Sequence, residues 1–358
     1  LFNKISGKLI KMYGNLTEAS RKISFRREQL YEWRILKYSN GIKLKDLRKL
    51  IEITKIDEKE LEQFNEFFVR YGKNIHIPTY LNENVCYLAG LIAGDGDISP
   101  TNSVGIRLHS IDEKLLLKAK QILKKEFNLD SKISKSKNRV PCLRFSSIIL
   151  RDIFYALGIP SGEKSHKIDI TNTLLLSGEK NITAFIRGLY DSDGCVSIPK
   201  NGSESISFST CSKILAQKMQ LILEMYGIIA KLRIRERNKE YITNKREIKS
   251  KKVQYHLEIR GVENFKLFKD KINFNKDDKR KKLNLICKDV KSNPNVGILP
   301  KRIHKEFYWD EINKITKIKC NDKWVYDFTV NDGHSFFANG ILVHNTASAE
   351  KERMSVIN

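Results

Sequence analysis

Residues 87–98 read Tyr-Leu-Ala-Gly-Leu-Ile-Ala-Gly-Asp-Gly-Asp-Ile, and residues 185–196 read Phe-Ile-Arg-Gly-Leu-Tyr-Asp-Ser-Asp-Gly-Cys-Val. Each stretch is typical of a short apolar helix that has a small residue midway and ends in Asp-Gly. A single Gly-Asp-Gly turn is common in proteins. Two copies, with Asp95 and Asp193 separated by 98 positions, predict an internal repeat.

The small residues of both stretches predict close helix packing. Ala89, Gly90 and Gly188 would let two helices pack with their backbones nearly touching. Gly96 and Gly194 suit the left-handed backbone position that ends many helices.

The acids of both stretches predict a metal site. Asp95 and Asp193 fall at helix C-termini, where the helix dipole disfavours negative charge. Packing the two helices together would also bring the carboxylates near each other, which costs more. A divalent cation removes both penalties, so the sequence predicts a metal site at a helix–helix seam.

The motif pair resembles the LAGLIDADG homing endonucleases, over roughly residues 82–290. The resemblance implies Mg²⁺-assisted hydrolysis of both strands of a DNA target by a monomer. It also implies that Asp95 and Asp193 hold the metal, helped by the backbone carbonyls of Gly94 and Ser192.

The first motif departs from the family pattern at one acid. Ala93 stands where the family has its first carboxylate, whereas the second motif keeps both Asp191 and Asp193. Asp97 is a further acid that is either a decoy or a group supporting the metal site. Since both key acids are present, an active nuclease is favoured over a decayed one that only binds DNA.

The resemblance also implies basic residues near the metal, which activate water or stabilise charge on a phosphate. Residues 157–164 resemble the stretch that precedes the second motif, which makes Lys164 the candidate in the first half. In the second half Lys279-Arg-Lys-Lys282 is comparable, and Lys281 or Lys282 is the partner, with Lys282 preferred. Each lysine could also contact a phosphate directly.

Hydrophobic periodicity predicts two similar halves, residues 82–180 and 181–290. Alternating strands are expected at residues 104–110, 143–146, 205–210 and 253–260, and amphipathic helices at residues 112–127 and 213–226. Two αββαββα halves would form one pseudo-symmetric unit of the α+β class. The polar faces of its sheets would line a saddle for a DNA duplex.

The composition also favours a nucleic-acid partner. The chain of 358 residues has 66 Lys and Arg against 42 Asp and Glu, a formal net charge of +24. A merely solvated Lys-rich surface is the alternative. The most basic stretch is residues 231–252, where the candidate DNA contacts are Lys231, Arg233, Arg235, Arg237 and Arg246.

Residues 1–80 are expected to form a helical module. Residues 1–12 read as a lead-in with alternating apolar positions, and helices are predicted from Asn15, over residues 24–36 and 44–51, and over residues 58–70. The pattern resembles a helix-turn-helix module with residues 24–36 as the recognition helix. Arg26, Arg27 and Arg34 are its candidate DNA contacts, and a plain helical bundle is the alternative.

Residues 344–346, His-Asn-Thr, carry a different chemistry. The side chain of Asn345 can attack its own backbone carbonyl and cleave the chain after itself. His344 can act as a general acid or base for that step. The hydroxyl of Thr346 can accept an acyl group.

The C-terminal region from residue 296 to 345 resembles the two last blocks of the intein (Hint) family, an all-β splicing domain. Strands are expected at residues 314–319, 325–330 and 341–343. The resemblance makes Asp327 and His334 accessory catalytic residues. Residues 346–358 would begin the host protein, joined to the element in cis, and the upstream splicing block is expected to be missing.

Cysteine usage and hydropathy exclude other classes. The six cysteines form no Cys-x-x-Cys pair, so a structural zinc site is disfavoured and a reducing, cytoplasmic compartment is expected. Neither a membrane span nor a secretory signal is expected. The sequence thus predicts a nuclease within a splicing element. The alternatives are a splicing element with a decayed nuclease and a helix-turn-helix regulator without enzyme activity.

Overall fold

The computed structural model divides into two compact units, residues 1–164 with 171–192 and residues 165–170 with 193–358. It describes residues 1–35, 44–57, 60, 66–69, 73–100, 105–137, 139–200, 203–235, 240–243, 246–249, 253–288, 303–304, 307–308, 312, 314–317, 330, 335–338 and 341–344. Within these ranges no helix is long and apolar enough to cross a membrane.

The first unit begins with a bundle of four helices, α1 (Phe2–Tyr13), α2 (Leu16–Ile23), α3 (Arg27–Ile35) and α4 (Leu44–Thr54). The predicted lead-in is therefore wrong, because residues 1–12 lie almost entirely in α1. Ile5 and Leu9 are four residues apart, so they share one helix face, and both are fully buried. As predicted, Asn15 caps α2, and its side chain accepts a hydrogen bond from the Glu18 amide at 2.9 Å.

A short hairpin follows the bundle. Strand β1 (Glu66–Val69) pairs antiparallel with β2 (Lys73–His76). The predicted helix over residues 58–70 is therefore wrong in its second half. The run Phe67-Phe68-Val69 consists of aromatic and β-branched side chains, which favour a strand once a partner is present.

The first repeat has the predicted αββαββα order. It consists of α5 (Glu83–Asp95), β3 (Gly96–Ile98), β4 (Gly105–His109), α6 (Glu113–Phe127), β5 (Lys132–Ser136), β6 (Arg139–Ser146) and α7 (Ile148–Ala156). The antiparallel sheet has the order β3-β4-β6-β5. One face of this first sheet is apolar and buried, through Ile106, Leu108, Leu143 and Phe145.

The second repeat follows the same order, with an inserted hairpin and with a further helix at each end. The short helix α8 (Asn172–Leu175) precedes α9 (Glu179–Asp193), β7 (Cys195–Ser197), β8 (Ser205–Thr210), α10 (Lys213–Met225), β9 (Ala230–Arg235), β10 (Glu240–Thr243), β11 (Arg246–Lys249), β12 (Gln254–Ile259), α11 (Val262–Lys271) and α12 (Asp277–Ile286). This second sheet has the order β7-β8-β12-β9, and the hairpin of β10 and β11 is inserted before β12.

Two hairpins are described near the C-terminus, β13 (Ile303–His304) with β14 (Phe307–Tyr308), and β15 (Ser335–Ala338) with β16 (Ile341–His344). The second contains the predicted apolar strand at residues 341–343. The strand predicted at residues 314–319 is not borne out at residues 314–317, which carry no strand. The strand predicted at residues 325–330 lies almost wholly outside the described residues.

Within the first unit, α5 and α9 meet backbone to backbone at Gly90 and Gly188. A Cβ added to Gly90 would lie 3.0 Å from the Gly188 Cα and would overlap the Phe185 carbonyl oxygen. A Cβ added to Gly188 would lie 2.9 Å from the Gly90 Cα and would overlap the Tyr87 carbonyl oxygen. The helices can approach this closely only because neither position has a side chain.

Gly96 serves a different purpose from the predicted one. Its φ is −94° and its ψ is 168°, so the backbone is extended and not left-handed. An added Cβ would lie 2.6 Å from the Ile92 Cα and 2.7 Å from the Ile92 carbonyl oxygen. Glycine is therefore required because the chain turns from α5 directly into β3 against the last helical turn. Gly194 is not a left-handed glycine either.

The glycine contact makes a stability prediction. Gly90→Ala should lower the free energy of unfolding by about 2 kcal/mol or more, because the new methyl group meets backbone atoms that cannot rotate away. Gly7 on α1 is the matched control, since a Cβ there meets nothing within 4 Å. Gly7→Ala should raise stability by about 0.5–1 kcal/mol. Denaturant titrations of both variants measure the difference, and equal effects would contradict the close contact.

Candidate active site

Helix α5 delivers Asp95 to the end of the first motif. Asn82 caps the helix by accepting a hydrogen bond from the Val85 amide at 3.0 Å, and residues 85–93 are buried throughout. Asp95 is the last helical residue, and its side chain is half-buried. The rigid, buried helix fixes the place where this carboxylate emerges.

The ammonium of Lys164 lies at the C-terminus of α5. Its Nζ donates to the carbonyl oxygens of Ile92 at 2.6 Å and Gly94 at 2.9 Å, and also to that of Ala93. The last carbonyls of a helix generally lack partners within it, and a cation is favoured at this end of the dipole. Lys164 thus offsets the electrostatic cost of placing Asp95 at a helix C-terminus.

The loop before Lys164 is tied to the first sheet. The Gly162 amide donates to the Ile98 carbonyl oxygen at 2.8 Å. Gly162 has a φ of +75°, a conformation that favours glycine. This connection holds the loop beside β3 and carries the chain directly to Lys164.

The Gly94 carbonyl, a predicted metal ligand, already accepts a hydrogen bond from Lys164. A carbonyl oxygen has two lone pairs, so one remains for a second partner. In the structure Lys164 therefore lies in direct contact with the backbone of the first motif. Its catalytic role stays a prediction.

Helix α9 ends at Asp193, which is exposed, whereas Asp191 is buried. The hydroxyl of Ser192 donates to the carbonyl oxygens of Gly188 and Leu189, both at 3.0 Å. The side chain of Ser192 is thus turned back onto its own helix. The predicted role of its backbone carbonyl, and the predicted proximity of Asp95 and Asp193, stay predictions.

Sequence reasoning missed a buried hydrogen bond across the α5–α9 contact. The hydroxyl of Tyr87 donates to Asp191 Oδ2 at 2.8 Å, and both side chains are buried. The ammonium of Lys118 lies 4.7 Å from the centre of the Tyr87 ring. Asp191, the acid that Ala93 replaces in the first motif, therefore has a structural partner.

The two motif acids are each suited to a hard divalent cation. Asp95 is half-buried at the end of α5 and Asp193 is exposed at the end of α9, and a carboxylate oxygen is the kind of ligand that Mg²⁺ takes. Across the described part of the chain, no group of three or more His, Cys, Asp or Glu side chains could hold a metal.

Helix α12 carries the lysines predicted for the second half. Lys281 and Lys282 are exposed, whereas Lys279 is buried. Lys279, Leu283 and Ile286 are spaced four and three residues apart, so they share the buried face of the helix. That spacing was the signal that could have predicted the burial of Lys279, and the catalytic role of Lys281 or Lys282 stays a prediction.

The polar face of the first sheet carries a row of charged residues. In register across β3, β4, β6 and β5 lie Asp97, Arg107, Arg144 and Lys132. Arg107 donates from Nε and Nη2 to Asp97 at 2.7–3.0 Å, and this carboxylate raises the pKa of Arg107. Arg107, Arg144 and Lys132 are exposed.

The polar face of the second sheet holds three of the predicted DNA contacts, Lys231, Arg233 and Arg235, all exposed. Glu258 lies within 2.9 Å of Arg233 Nη2 and of Arg260 Nη2. Burial raises the pKa of Glu258, but the hydrogen bond and charge of Arg260 and the charge of Arg233 lower it overall.

Beside these residues, His256 is hydrogen-bonded to the Ser209 hydroxyl at 2.8 Å. Burial, followed by the charges of Arg235 and Arg233, lowers the pKa of His256. The charge of Glu258 opposes this shift without reversing it, so the neutral imidazole is favoured relative to a free histidine.

The remaining predicted residues are only partly described. Arg26, Arg27 and Arg34 are exposed beside or on α3, and Arg246 lies on β11. His344 is the last residue of β16 and is exposed. Arg237, Asp327, His334, Asn345 and Thr346 lie outside the described residues.

The Lys164 contacts make a prediction that needs neither DNA nor metal. Lys164→Met should lower the free energy of unfolding by about 1–3 kcal/mol, because three carbonyls lose their donor. Lys120→Met, on the exposed face of α6, is the matched control and should change stability little. Denaturant unfolding in EDTA measures both, and a neutral Lys164→Met would contradict the structural role.

Comparisons with known proteins agree with the repeat. The model of the LAGLIDADG-like domain matches residues 82–173 and 180–273. The replication factor C small subunit of Methanocaldococcus jannaschii is 30% identical over 272 residues, 72% of this chain and 13% of that protein. Elongation factor 2 of Methanopyrus kandleri is 22% identical over 317 residues, 78% of this chain and 24% of that protein.

The chain thus spans less than a quarter of the length of either relative. Among solved structures, I-DmoI in complex with DNA and Mn aligns with a TM-score of 0.38 and 19% identity, over 53% of this chain and 96% of that one. The family model alone covers more than half of the sequence, in two copies that coincide with the two repeats. The chain therefore belongs to the LAGLIDADG-like domain family.

Proposed function

We propose that the chain is a site-specific endonuclease that cuts both strands of a DNA duplex. The observation that carries this proposal is the placement of one carboxylate at the end of each motif helix, Asp95 on α5 and Asp193 on α9. Each helix leads directly into the first strand of a sheet. One acid per repeat suits a substrate with two strands, each of which is cut once.

The polar sheet faces support DNA as the substrate. The first sheet exposes Arg107, Arg144 and Lys132, and the second exposes Lys231, Arg233 and Arg235. With a formal net charge of +24, the chain should bind phosphates with an affinity that falls steeply as salt rises. The exposed arginines of the helical bundle, Arg26, Arg27 and Arg34, are proposed to add contacts outside the sheets.

The proposed chemistry is metal-assisted phosphodiester hydrolysis. Asp95 and Asp193 would hold Mg²⁺, with the Gly94 and Ser192 carbonyls as further oxygen ligands. A bound divalent ion supplies positive charge that activates water and stabilises the leaving oxygen. The ammonium of Lys164, already fixed at the Gly94 carbonyl, would stabilise charge on the phosphate.

We also propose that the nuclease is part of a splicing element inserted in a host protein. The relatives are a replication factor and an elongation factor, and each shares only a small part of its length with this chain. A segment shared by proteins of such different names is what an inserted element produces. The hairpin of β15 and β16 leads directly to Asn345. Attack of its side-chain amide nitrogen on its own backbone carbonyl would form a succinimide and break the bond to Thr346, whose amine leaves with residues 346–358. Asp327, His334 and His344 would assist this step, and the Thr346 hydroxyl would serve as acyl acceptor in splicing.

The nuclease proposal is tested at the two acids. Asp95→Asn and Asp193→Asn should each abolish Mg²⁺-dependent cleavage and leave DNA binding intact, because the amide keeps the shape but loses the charge that holds the cation. Cleavage and gel-shift assays on the same duplex separate the two activities.

Asp130→Asn is the matched control, since the Asp130 side chain is 91% exposed and should not affect cutting. Full cleavage by Asp193→Asn would show that the metal site is wrongly assigned. A wild-type chain that binds a specific duplex without cutting it, under all metals tried, would favour a decayed nuclease.

The splicing proposal is tested at the junction. Incubated wild-type chain should lose residues 346–358, and Asn345→Ala should stay intact, because only the asparagine side chain can form the succinimide. Mass spectrometry of the chain distinguishes the two. Asn339→Ala is the control and should be processed normally, so release that persists in Asn345→Ala would refute this chemistry.

A further inference from the structure

Asp97 is the acid in a row of charged residues whose other members, Arg107, Arg144 and Lys132, are basic. It lies in register with Arg107 on the neighbouring strand, and their side chains are 36% and 50% exposed. On a surface that binds phosphates, a carboxylate lowers affinity by repulsion. Its presence therefore calls for a role that offsets this cost.

The two side chains form a bidentate ion pair. Arg107 donates from Nε to both carboxylate oxygens, at 2.9 and 3.0 Å, and from Nη2 to Oδ1 at 2.7 Å. His109 Nε2 lies 3.3 Å from the other side of the carboxylate, at Oδ2. The plane of the guanidinium is thereby fixed by two hydrogen-bonding atoms.

This contact leaves one edge of the guanidinium available. Of the five N–H donors of an arginine, Asp97 engages the Nε hydrogen and one on Nη2. The other Nη2 hydrogen and both Nη1 hydrogens are not hydrogen-bonded to any described residue. These hydrogens lie at the outer end of the guanidinium, which points away from Asp97 and is held in one orientation.

Arg144 provides a contrast on the same face. It is the cross-strand partner of Arg107 on β6 and is also exposed, yet it makes no ion pair or hydrogen bond with the described residues. A long side chain without such a partner loses rotamer freedom whenever it binds. Arg144 can approach a phosphate in several conformations, so it suits a contact that is independent of base sequence. The guanidinium of Arg107 is already held in one orientation by Asp97.

We propose that Arg107, held by Asp97, reads a guanine in the major groove of the DNA half-site bound by the first repeat. The inference rests on the proposed function, because it requires the polar face of the first sheet to meet DNA. Guanine presents two acceptors, O6 and N7, side by side in the major groove, and the free end of Arg107 offers two parallel donors. No other base edge in that groove presents two adjacent acceptors.

The second repeat has no Asp–Arg ion pair at the corresponding described positions. The positions that correspond to Asp97 and Arg107 in the register of β7 and β8 are Cys195 and Ser207. Arg233 and Glu258 do form an ion pair there, but Glu258 Oε2 makes no hydrogen bond of good geometry. The guanine should therefore appear in one half-site only, without a counterpart in the other.

The test is a binding selection from a randomised double-stranded DNA library, carried out with the full chain in EDTA so that no duplex is cut. Sequencing of the bound DNA gives base preferences for wild type, Asp97→Asn, Arg107→Ala and Arg144→Ala. Wild type should select one position that is strongly guanine. Asp97→Asn and Arg107→Ala should each lose about 5- to 140-fold in discrimination there, the span expected of one bidentate contact.

The controls separate base reading from phosphate binding. Asp97→Asn removes a negative charge, so its binding at low salt to duplexes that lack the selected guanine should be as strong as wild type or stronger. Arg144→Ala should keep the guanine preference and weaken binding to all sequences alike, with a salt slope reduced by about one. Thermal unfolding of each variant shows whether it is folded.

Two results would overturn the inference. If folded Asp97→Asn keeps the wild-type guanine preference, Asp97 does not orient Arg107 for reading. If Arg107→Ala behaves as Arg144→Ala does, Arg107 is a phosphate contact. A wild-type chain that enriches no sequence at all would instead reject sequence-specific DNA recognition, and the proposed function would fail with it.

Discussion

The backbone contact between Gly90 and Gly188 is the constraint on which the rest of the first unit depends. It brings α5 and α9 close enough for Tyr87 to reach Asp191 at 2.8 Å, 104 residues further along the chain. Because α5 passes into β3 without a loop, the position of the helix also sets the position of the first sheet. The same helix carries Asp95 at its end, so one close contact determines where the proposed catalytic acid and the proposed DNA-binding face begin.

The arrangement of charges at the C-terminus of α5 follows from the close contact between Gly90 and Gly188. A helix that must stop beside its sheet leaves its last carbonyls without helical partners, and Asp95 adds a negative charge at the same place. Lys164 supplies a positive charge to three of those carbonyls through a loop tied to Ile98.

Much of this arrangement could be predicted from the sequence, because its signals are local. The repeated motif, the alternating strands β4, β8 and β12, and the capping of α2 by Asn15 each depend on residues within a few positions of one another. The helix over residues 1–12 was harder to predict, because Ile5 and Leu9 become a buried helix face only when the core of the bundle is present. The conformation of Gly96 depends on the packing of Ile92, and motif pattern alone suggested a left-handed turn.

The features that sequence reasoning missed are contacts over long separations. The hydrogen bond of Tyr87 with Asp191 and that of Lys164 with the end of α5 join residues about 70 or more positions apart, and no periodicity records them. Arg107 and Asp97 are closer together in the sequence, but their ion pair depends on the register of β3 with β4. Lys279 is the exception, since its helical spacing from Leu283 was visible in the sequence.

Cleavage of a selected target tests the central claim most directly. The substrate is a plasmid that carries the duplex enriched by the wild-type chain from the randomised library, and it is incubated with purified chain in Mg²⁺ or in EDTA. A single double-strand cut within that sequence, present only with Mg²⁺, is the predicted result. An intact plasmid under both conditions, across several temperatures and divalent metals, would contradict the proposal that the chain is a site-specific endonuclease.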